Sequence, residues 1–212
     1  MPSSADLLHR TGLRGRGATL NPANRFRRDV REQVDDVAPD GDEPPPLATT
    51  VTIQRARTII ARNDSPDIPF DRSINPYQGC EHGCVYCYAR PSHAYLDLSP
   101  GLDFESRLFA KPDAPALLRA ELARPGYACR PMALGTNTDP YQPIERTWRV
   151  TRGVLEVLAE CAHPFTIVTK SALVERDLDL LVPMAVRGMA RVYLSVTTLD
   201  PHLARRLEPR AA

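Results

Sequence analysis

Short apolar runs alternate with helical patterns from residue 73 to the end of the 212-residue sequence. Runs such as MAL and FTIV are almost continuously apolar, which is typical of parallel strands covered on both faces. Strands separated by helices of this length predict a parallel sheet in an α/β fold. The five predicted strands are residues 73–79, 107–111, 131–136, 165–171 and 191–200.

A helix is predicted after each of the last four strands, in the segments APALLRAELARP, IERTWRVTRGVLEVLAECA, ALVERDLDLLVPMAVRG and PHLARRLEPRAA. Pro183 is expected to end or kink the third of them. The resulting βα units fit either an open doubly wound sheet or part of a barrel. In both, a site forms at the carboxyl ends of the strands. The polar stretches expected there are GCEHGCVYC, GTNTDPYQP, TKS and SVTTLD.

The first part of the chain differs in character from the rest. Residues 1–50 predict a flexible basic extension and a proline-rich linker, and residues 51–212 predict the α/β domain, with 51–60 in a small leading hairpin. Six arginines between residues 7 and 28 are compatible with nucleic-acid phosphates, although a solvated arm is the simpler interpretation. Without a signal sequence or a membrane-length apolar run, we expect a soluble cytoplasmic protein.

Three of the five cysteines, Cys80, Cys84 and Cys87, lie within eight positions. This spacing lets three thiolates turn toward one point, which suits either zinc or an iron-sulfur cluster. Zinc would need a fourth ligand, for which His82 or His93 is close in sequence. A four-iron cluster on three cysteines would instead leave one iron open for another ligand.

The stretch NPYQGCEHGCVYCYAR (75–90) resembles the cluster-binding motif of the radical S-adenosylmethionine superfamily, in its spore photoproduct lyase-like branch. The resemblance implies a partial (β/α) barrel, a 4Fe-4S cluster on the three cysteines, and Tyr86 against the adenine of S-adenosylmethionine. It also implies an enzyme: reductive cleavage of S-adenosylmethionine gives a 5′-deoxyadenosyl radical that abstracts hydrogen from an unknown substrate. The electron donor would be a flavodoxin or ferredoxin, and a nucleic acid is one option for the substrate.

The resemblance extends to four residues beyond the cysteine motif. Lys170 and Ser195 match a lysine and a serine that face S-adenosylmethionine, and Thr138 matches a serine that contacts it. Tyr88 matches a tyrosine linked to the return of a hydrogen atom. Each has a structural alternative: Lys170 at the surface, Ser195 as an ordinary strand residue, the Thr138 loop as a capped turn, and Tyr88 as a packing residue.

Two departures from the resemblance matter for function. Thr136 stands where the lyases have a hydrogen-donating cysteine, and nothing in the sequence brings Cys129 to that place, so thymine-dimer repair is not expected. Five strands are predicted where a barrel of this type has six, which favours a C-terminally truncated copy. The competing hypothesis is a non-enzymatic module that binds zinc or nucleic acid through the cysteines and the arginine-rich arm.

Overall fold

The computed structural model describes residues 15–26 and 48–211, and it shows a mixed α/β protein with two sheets. The strands are β1 (Thr50–Ile53), β2 (Ile60–Arg62), β3 (Arg72–Ile74), β4 (Tyr77–Gln78), β5 (Arg107–Ala110), β6 (Met132–Leu134), β7 (Phe165–Thr169) and β8 (Ala190–Leu194). The helices are α1 (Leu102–Ser106), α2 (Ala114–Leu122), α3 (Glu145–Trp148), α4 (Val150–Glu160), α5 (Leu178–Val186) and α6 (Pro201–Leu207). Two 3-10 segments, Arg90–Leu96 and Ala172–Asp177, precede α1 and α5.

The larger sheet has the order β2-β3-β6-β7-β8, and β3, β6, β7 and β8 are parallel. The predicted parallel sheet is therefore confirmed for four of its five strands. The fifth position is taken by β2, which pairs antiparallel with β3 at the edge. The carboxyl ends of the four parallel strands meet at one edge of the sheet, which is where the polar stretches of the sequence were expected.

Two predictions about strand pairing are wrong. The segment 107–111 does form a strand, β5, but it lies in a second sheet between β1 and β4. The leading hairpin does not form, because β1 pairs with β5 and β2 pairs with β3. Pro76 offers no backbone N–H to a ladder, and the chain leaves the larger sheet after Ile74 and enters the smaller one at Tyr77. Alternation of apolar and polar residues identifies a strand, but it does not identify the strand with which it pairs.

The helix predicted over 144–162 is divided into α3 and α4 by Arg149, whose φ is 50°. The buried carboxylate of Glu145 accepts hydrogen bonds from Thr151 N (2.9 Å) and Arg152 N (3.1 Å), so it caps the new N-terminus of α4. Pro183 does not end α5, which continues to Val186. Proline removes one backbone hydrogen bond there, while Leu181 and Met184 on either side are buried in the core.

The main core lies between the larger sheet and the helices on its surface. β6 is buried along its whole length, and α4 contributes a buried face with Val154, Leu155 and Leu158. This packing fixes β6 and β7 firmly, and with them the loops that follow both strands. Among the described residues, no helix combines the length and the apolar character required to cross a bilayer.

Candidate active site

The cysteine stretch forms a loop between β4 and the first 3-10 segment. Gly79 lies at the start of the loop and Gly83 lies within it. Both have left-handed backbone conformations, with φ of 74° and 68°. A Cβ on Gly79 would lie 2.6 Å from the Leu108 side chain, so the loop packs closely against β5. Cys80 N donates to Phe104 O (2.9 Å), which ties the first cysteine to α1.

All three cysteines of the loop are free thiols, and Cys80 and Cys84 are buried while Cys87 is half-buried. Burial raises the pKa of Cys84 to about 12, with further contributions from Cys80 and Glu208. Burial also raises the pKa of Cys87. These shifts keep the thiols of Cys84 and Cys87 protonated when no cation is near, and a bound metal would reverse them because it stabilises thiolates.

Across residues 15–26 and 48–211, no three His, Cys, Asp or Glu side chains already form a ligand set for a metal ion. Both histidines considered for zinc have other contacts. His82 Nδ1 lies 3.4 Å from Asp139 Oδ2, longer than an optimal hydrogen bond, and this buried nitrogen has no hydrogen-bond partner among the described residues. Burial alone would lower the pKa of His82, but Cys80 and Asp139 raise it to about 10. His93 is fully buried, with Nε2 2.9 Å from Arg107 O.

The loop after β6 carries Asp139, which joins the ends of β6 and β7. Its carboxylate accepts from Thr169 Oγ1 (2.6 Å), Lys170 N (2.8 Å) and Tyr141 N (2.8 Å). Burial raises the pKa of Asp139, but the nearby His82 imidazole and the hydrogen bonds from Thr169 and Lys170 hold it below its ordinary value. The capped-turn interpretation of this loop is therefore confirmed for Asp139.

Thr138 is also buried, and its hydroxyl donates to Tyr77 O (3.1 Å). That hydroxyl is thus engaged with the backbone of the strand that leads into the cysteine loop. Tyr88, by contrast, is 78% exposed, and its hydroxyl donates to Thr136 O. A packing role for Tyr88 does not fit this exposure. Cys129 is exposed and precedes β6, at the opposite edge of the sheet from the loops described here.

Lys170, Ser195 and Tyr86 come together at the ends of β7 and β8. Lys170 Nζ donates to Ser195 Oγ (2.8 Å) and lies 5.5 Å from the centre of the Tyr86 ring. Two residues that the sequence did not single out complete this group. Glu208 Oε1 lies 2.7 Å from Lys170 Nζ and accepts from the hydroxyls of Tyr86 and Thr197.

The Lys170 and Glu208 pair is held in its charged form. Burial lowers the pKa of Lys170, but Glu208 and Tyr86 raise it well above the usual range. Burial raises the pKa of Glu208, but hydrogen bonds from Lys170, Thr197 and Tyr86 bring it below its ordinary value. The signal for Glu208 in the sequence was weak: one acid within the last predicted helix, in a chain with only two lysines.

The described part of the N-terminal extension packs beside the cysteine loop. Backbone N–H groups of Arg16, Gly17 and Ala18 donate to the carboxylate of the fully buried Glu105, at 2.6 to 3.0 Å. Arg90 donates to the same carboxylate at 2.6 Å. Of the six arginines noted in the extension, Arg16 and Arg25 lie within the described residues, and the other four lie outside them.

Comparison with known proteins gives relatives that are themselves described only as uncharacterized. One, from Mycobacterium tuberculosis strain H37Rv, is 43% identical over 141 residues, which is 66% of this chain and 42% of the relative. Another, from Methanocaldococcus jannaschii, is 29% identical over 136 residues, covering 64% of this chain and 48% of the relative. A protein of Acidianus two-tailed virus is 29% identical over 145 residues, covering 66% and 46%.

The chain thus spans less than half the length of each of these relatives. No protein-family model matches the chain, and no solved structure was found to match it.

Proposed function

We propose that this chain is the cluster-binding and cofactor-binding part of a radical S-adenosylmethionine enzyme, of the kind that spore photoproduct lyase represents. The observation that carries the proposal is that Lys170 and Tyr86 meet at one carboxylate, with Ser195 bonded to Lys170. These residues come from the ends of two parallel strands and from the middle of the three-cysteine loop. A cofactor with a carboxylate and an aromatic base, bound beside the cysteines, would use both kinds of contact.

The donor chemistry of the cysteine loop fits a 4Fe-4S cluster. Cys80, Cys84 and Cys87 are free thiols on one loop, Cys87 packs against the small apolar cluster that contains Cys80, and burial and the nearby Cys80 raise the pKa of both Cys84 and Cys87. Binding would require the three sulfur atoms to converge further and to lose their protons. When bound, such a cluster supplies the electron that cleaves S-adenosylmethionine.

The residues of the chain would then position and protect the cofactor. Lys170 and Ser195 would bind its carboxylate, and the Tyr86 ring would pack against its adenine. Thr138 would act through the backbone of Tyr77, to which its hydroxyl is bonded. Tyr88 lies exposed beside the Thr136 carbonyl and would be the group nearest to a substrate.

The finer fold assignment and the partners belong to the same proposal. The four parallel strands with helices on their surface would be part of a partial (β/α) barrel, and a flavodoxin or ferredoxin in the cytoplasm would supply electrons. Because Thr136 carries a hydroxyl and not a thiol, the substrate would not be a thymine dimer that requires a thiol hydrogen donor. A nucleic acid remains one option for the substrate.

Anaerobic reconstitution with iron and sulfide tests the proposal. The protein should become brown, show charge-transfer absorption, and release 5′-deoxyadenosine from S-adenosylmethionine after reduction. Replacement of Cys84 by alanine should abolish both properties. Replacement of the exposed Cys161 by alanine is the matched control and should preserve them. One tightly bound zinc ion per chain, with no cluster and no cleavage, would instead support the zinc-module hypothesis.

A further inference from the structure

Glu208 occupies the centre of the group that the proposed cofactor would need. We infer that Glu208 is an internal carboxylate ligand of Lys170, and that a carboxylate-bearing ligand must replace it in order to bind. This inference rests on the proposed function, and it adds a displacement step at the same site. Neither the resemblance nor the relatives assign a role to this residue.

The contacts of Glu208 describe a pocket built for one carboxylate. Lys170, Tyr86 and Thr197 all donate to the same oxygen, Oε1. Ser195 supports Lys170 from the other side, at 2.8 Å. An ammonium and two hydroxyls around one oxygen form a charge-assisted arrangement that a neutral group would not satisfy as well.

Most donors of this pocket are already in use. An ammonium has three N–H donors, and Ser195 and Glu208 accept from Lys170 in the folded chain. A second carboxylate placed beside Glu208 would meet like charge and would compete with Glu208 for Lys170. A ligand carboxylate therefore binds well only if the Glu208 carboxylate moves away.

Movement of Glu208 would also affect the residues that pack over the cysteine loop. Residues 207–210, which we call the strap, cross that loop through two backbone hydrogen bonds. Val85 N donates to Leu207 O (3.0 Å), and Arg210 N donates to His82 O (3.1 Å). Arg210 also pairs with Glu81 at 2.9 Å. When a ligand takes the place of Glu208, the strap loses its attachment to Lys170 and loosens over the loop.

The test compares the binding of S-adenosylmethionine to the wild-type protein, Glu208→Gln and Glu160→Gln, each reconstituted anaerobically and measured by calorimetry. Glutamine keeps the size of the side chain but removes the charge that holds Lys170. We expect Glu208→Gln to bind about three- to tenfold more tightly than wild type, as release of a partly exposed ion pair allows. Glu160 pairs with Arg119 on the surface, so Glu160→Gln should leave the affinity unchanged.

Hydrogen exchange on the wild-type protein provides a second readout that does not depend on the stability of a variant. Addition of S-adenosylmethionine should increase exchange in residues 207–211, while exchange in β6 and β7 stays constant. Unchanged or weaker binding by Glu208→Gln, or a strap that becomes more protected on binding, would overturn the inference while leaving the proposed function intact. Absence of binding in all three proteins would overturn both.

Discussion

Two groups of charged and hydroxyl side chains lie at the carboxyl edge of the larger sheet, and they differ in burial. The first is centred on Glu145 and Asp177, both fully buried. Tyr77 donates to Glu145, Tyr141 donates to Asp177 (3.0 Å), and Arg176 pairs with both carboxylates at 2.7 and 2.8 Å. The second is the pocket of Lys170 and Glu208, whose neighbours on β8 and α6 are largely exposed.

This difference in burial indicates which of the two groups can exchange one of its side-chain partners for a ligand. Each buried carboxylate of the first group has no water to replace a lost partner, so every contact there supports the scaffold. The pocket of Lys170 and Glu208 lies beside Tyr193 and Leu194, which are 50% and 62% exposed. A ligand can reach the second group without disrupting the core. The following predictions separate scaffold from exchangeable site, from the largest effect to the smallest.

Replacement of Glu145 by alanine should lower the free energy of unfolding by about 3–5 kcal/mol, because it leaves the Tyr77 hydroxyl and two backbone N–H groups without their acceptor and Arg176 with Asp177 alone. Urea titration measures the change. Glu160→Ala is the control, because its ion pair with Arg119 is 59% and 54% exposed. It should cost less than about 1 kcal/mol. Equal losses of unfolding free energy in the two variants would show that the buried group around Glu145 stabilises the fold no more than a surface ion pair does.

Replacement of Gly135 by alanine should cost about 2–3 kcal/mol, because it combines a left-handed backbone with a steric clash. Gly135 has φ of 88°, and a Cβ there would lie 2.0 Å from Val168 O, between β6 and β7. Gly126→Ala is a matched control, with φ of 78° and no atom within 4 Å of the added Cβ. Its cost should be limited to the backbone term of about 1 kcal/mol. Equal losses of unfolding free energy in Gly135→Ala and Gly126→Ala would show that the close approach to Val168 O does not contribute.

The lowered pKa of Asp139 predicts that the folded protein loses stability in acid. Because its pKa is lowered in the folded protein, the carboxylate stabilises the fold above its unfolded pKa, and this contribution disappears as pH falls through the folded pKa. Below about pH 4 the wild-type protein should therefore lose stability more steeply than Asp139→Asn. Thermal unfolding from pH 7 to pH 3 measures the two slopes. Parallel slopes would contradict the assignment.

Replacement of Lys170 by methionine should lower the free energy of unfolding by about 1–2 kcal/mol, because the buried Glu208 carboxylate keeps the hydroxyl donors of Tyr86 and Thr197. The same substitution should greatly weaken the binding of S-adenosylmethionine by the reconstituted protein. Chemical denaturation and calorimetry measure the two effects separately. A loss comparable to that of Glu145→Ala would place Lys170 in the scaffold and not in an exchangeable site.

The sequence predicted the parts of the fold that depend on local pattern. β6, β7, β8 and α2 formed where apolar runs and helical spacing placed them. The destination of β5 was not predictable, since strand pairing depends on contacts between distant segments. The break at Arg149 was missed for a similar reason: the capping carboxylate of Glu145 matters only after Tyr77 and Arg176 have surrounded it.

The candidate site was predicted in the same uneven way. Lys170 and Ser195 were identified by resemblance, and the structure brings them within 2.8 Å of each other. Glu208 was missed because α6 returns it to the site from beyond the last strand, and Thr197 was missed although it lies in the stretch SVTTLD with Ser195. A role for Tyr86 and the three cysteines in cofactor binding stays a prediction.

The contact between the extension and Glu105 has a consequence for the order of folding. Arg16, Gly17 and Ala18 precede their partner Glu105, which lies in α1, by about ninety residues. Contacts of such long sequence separation form late, because the intervening chain must be ordered first. Until the extension docks, the Glu105 carboxylate has Arg90 as its remaining charged partner. Residues 16–18 are thus expected to dock late against Glu105, beside the cysteine loop.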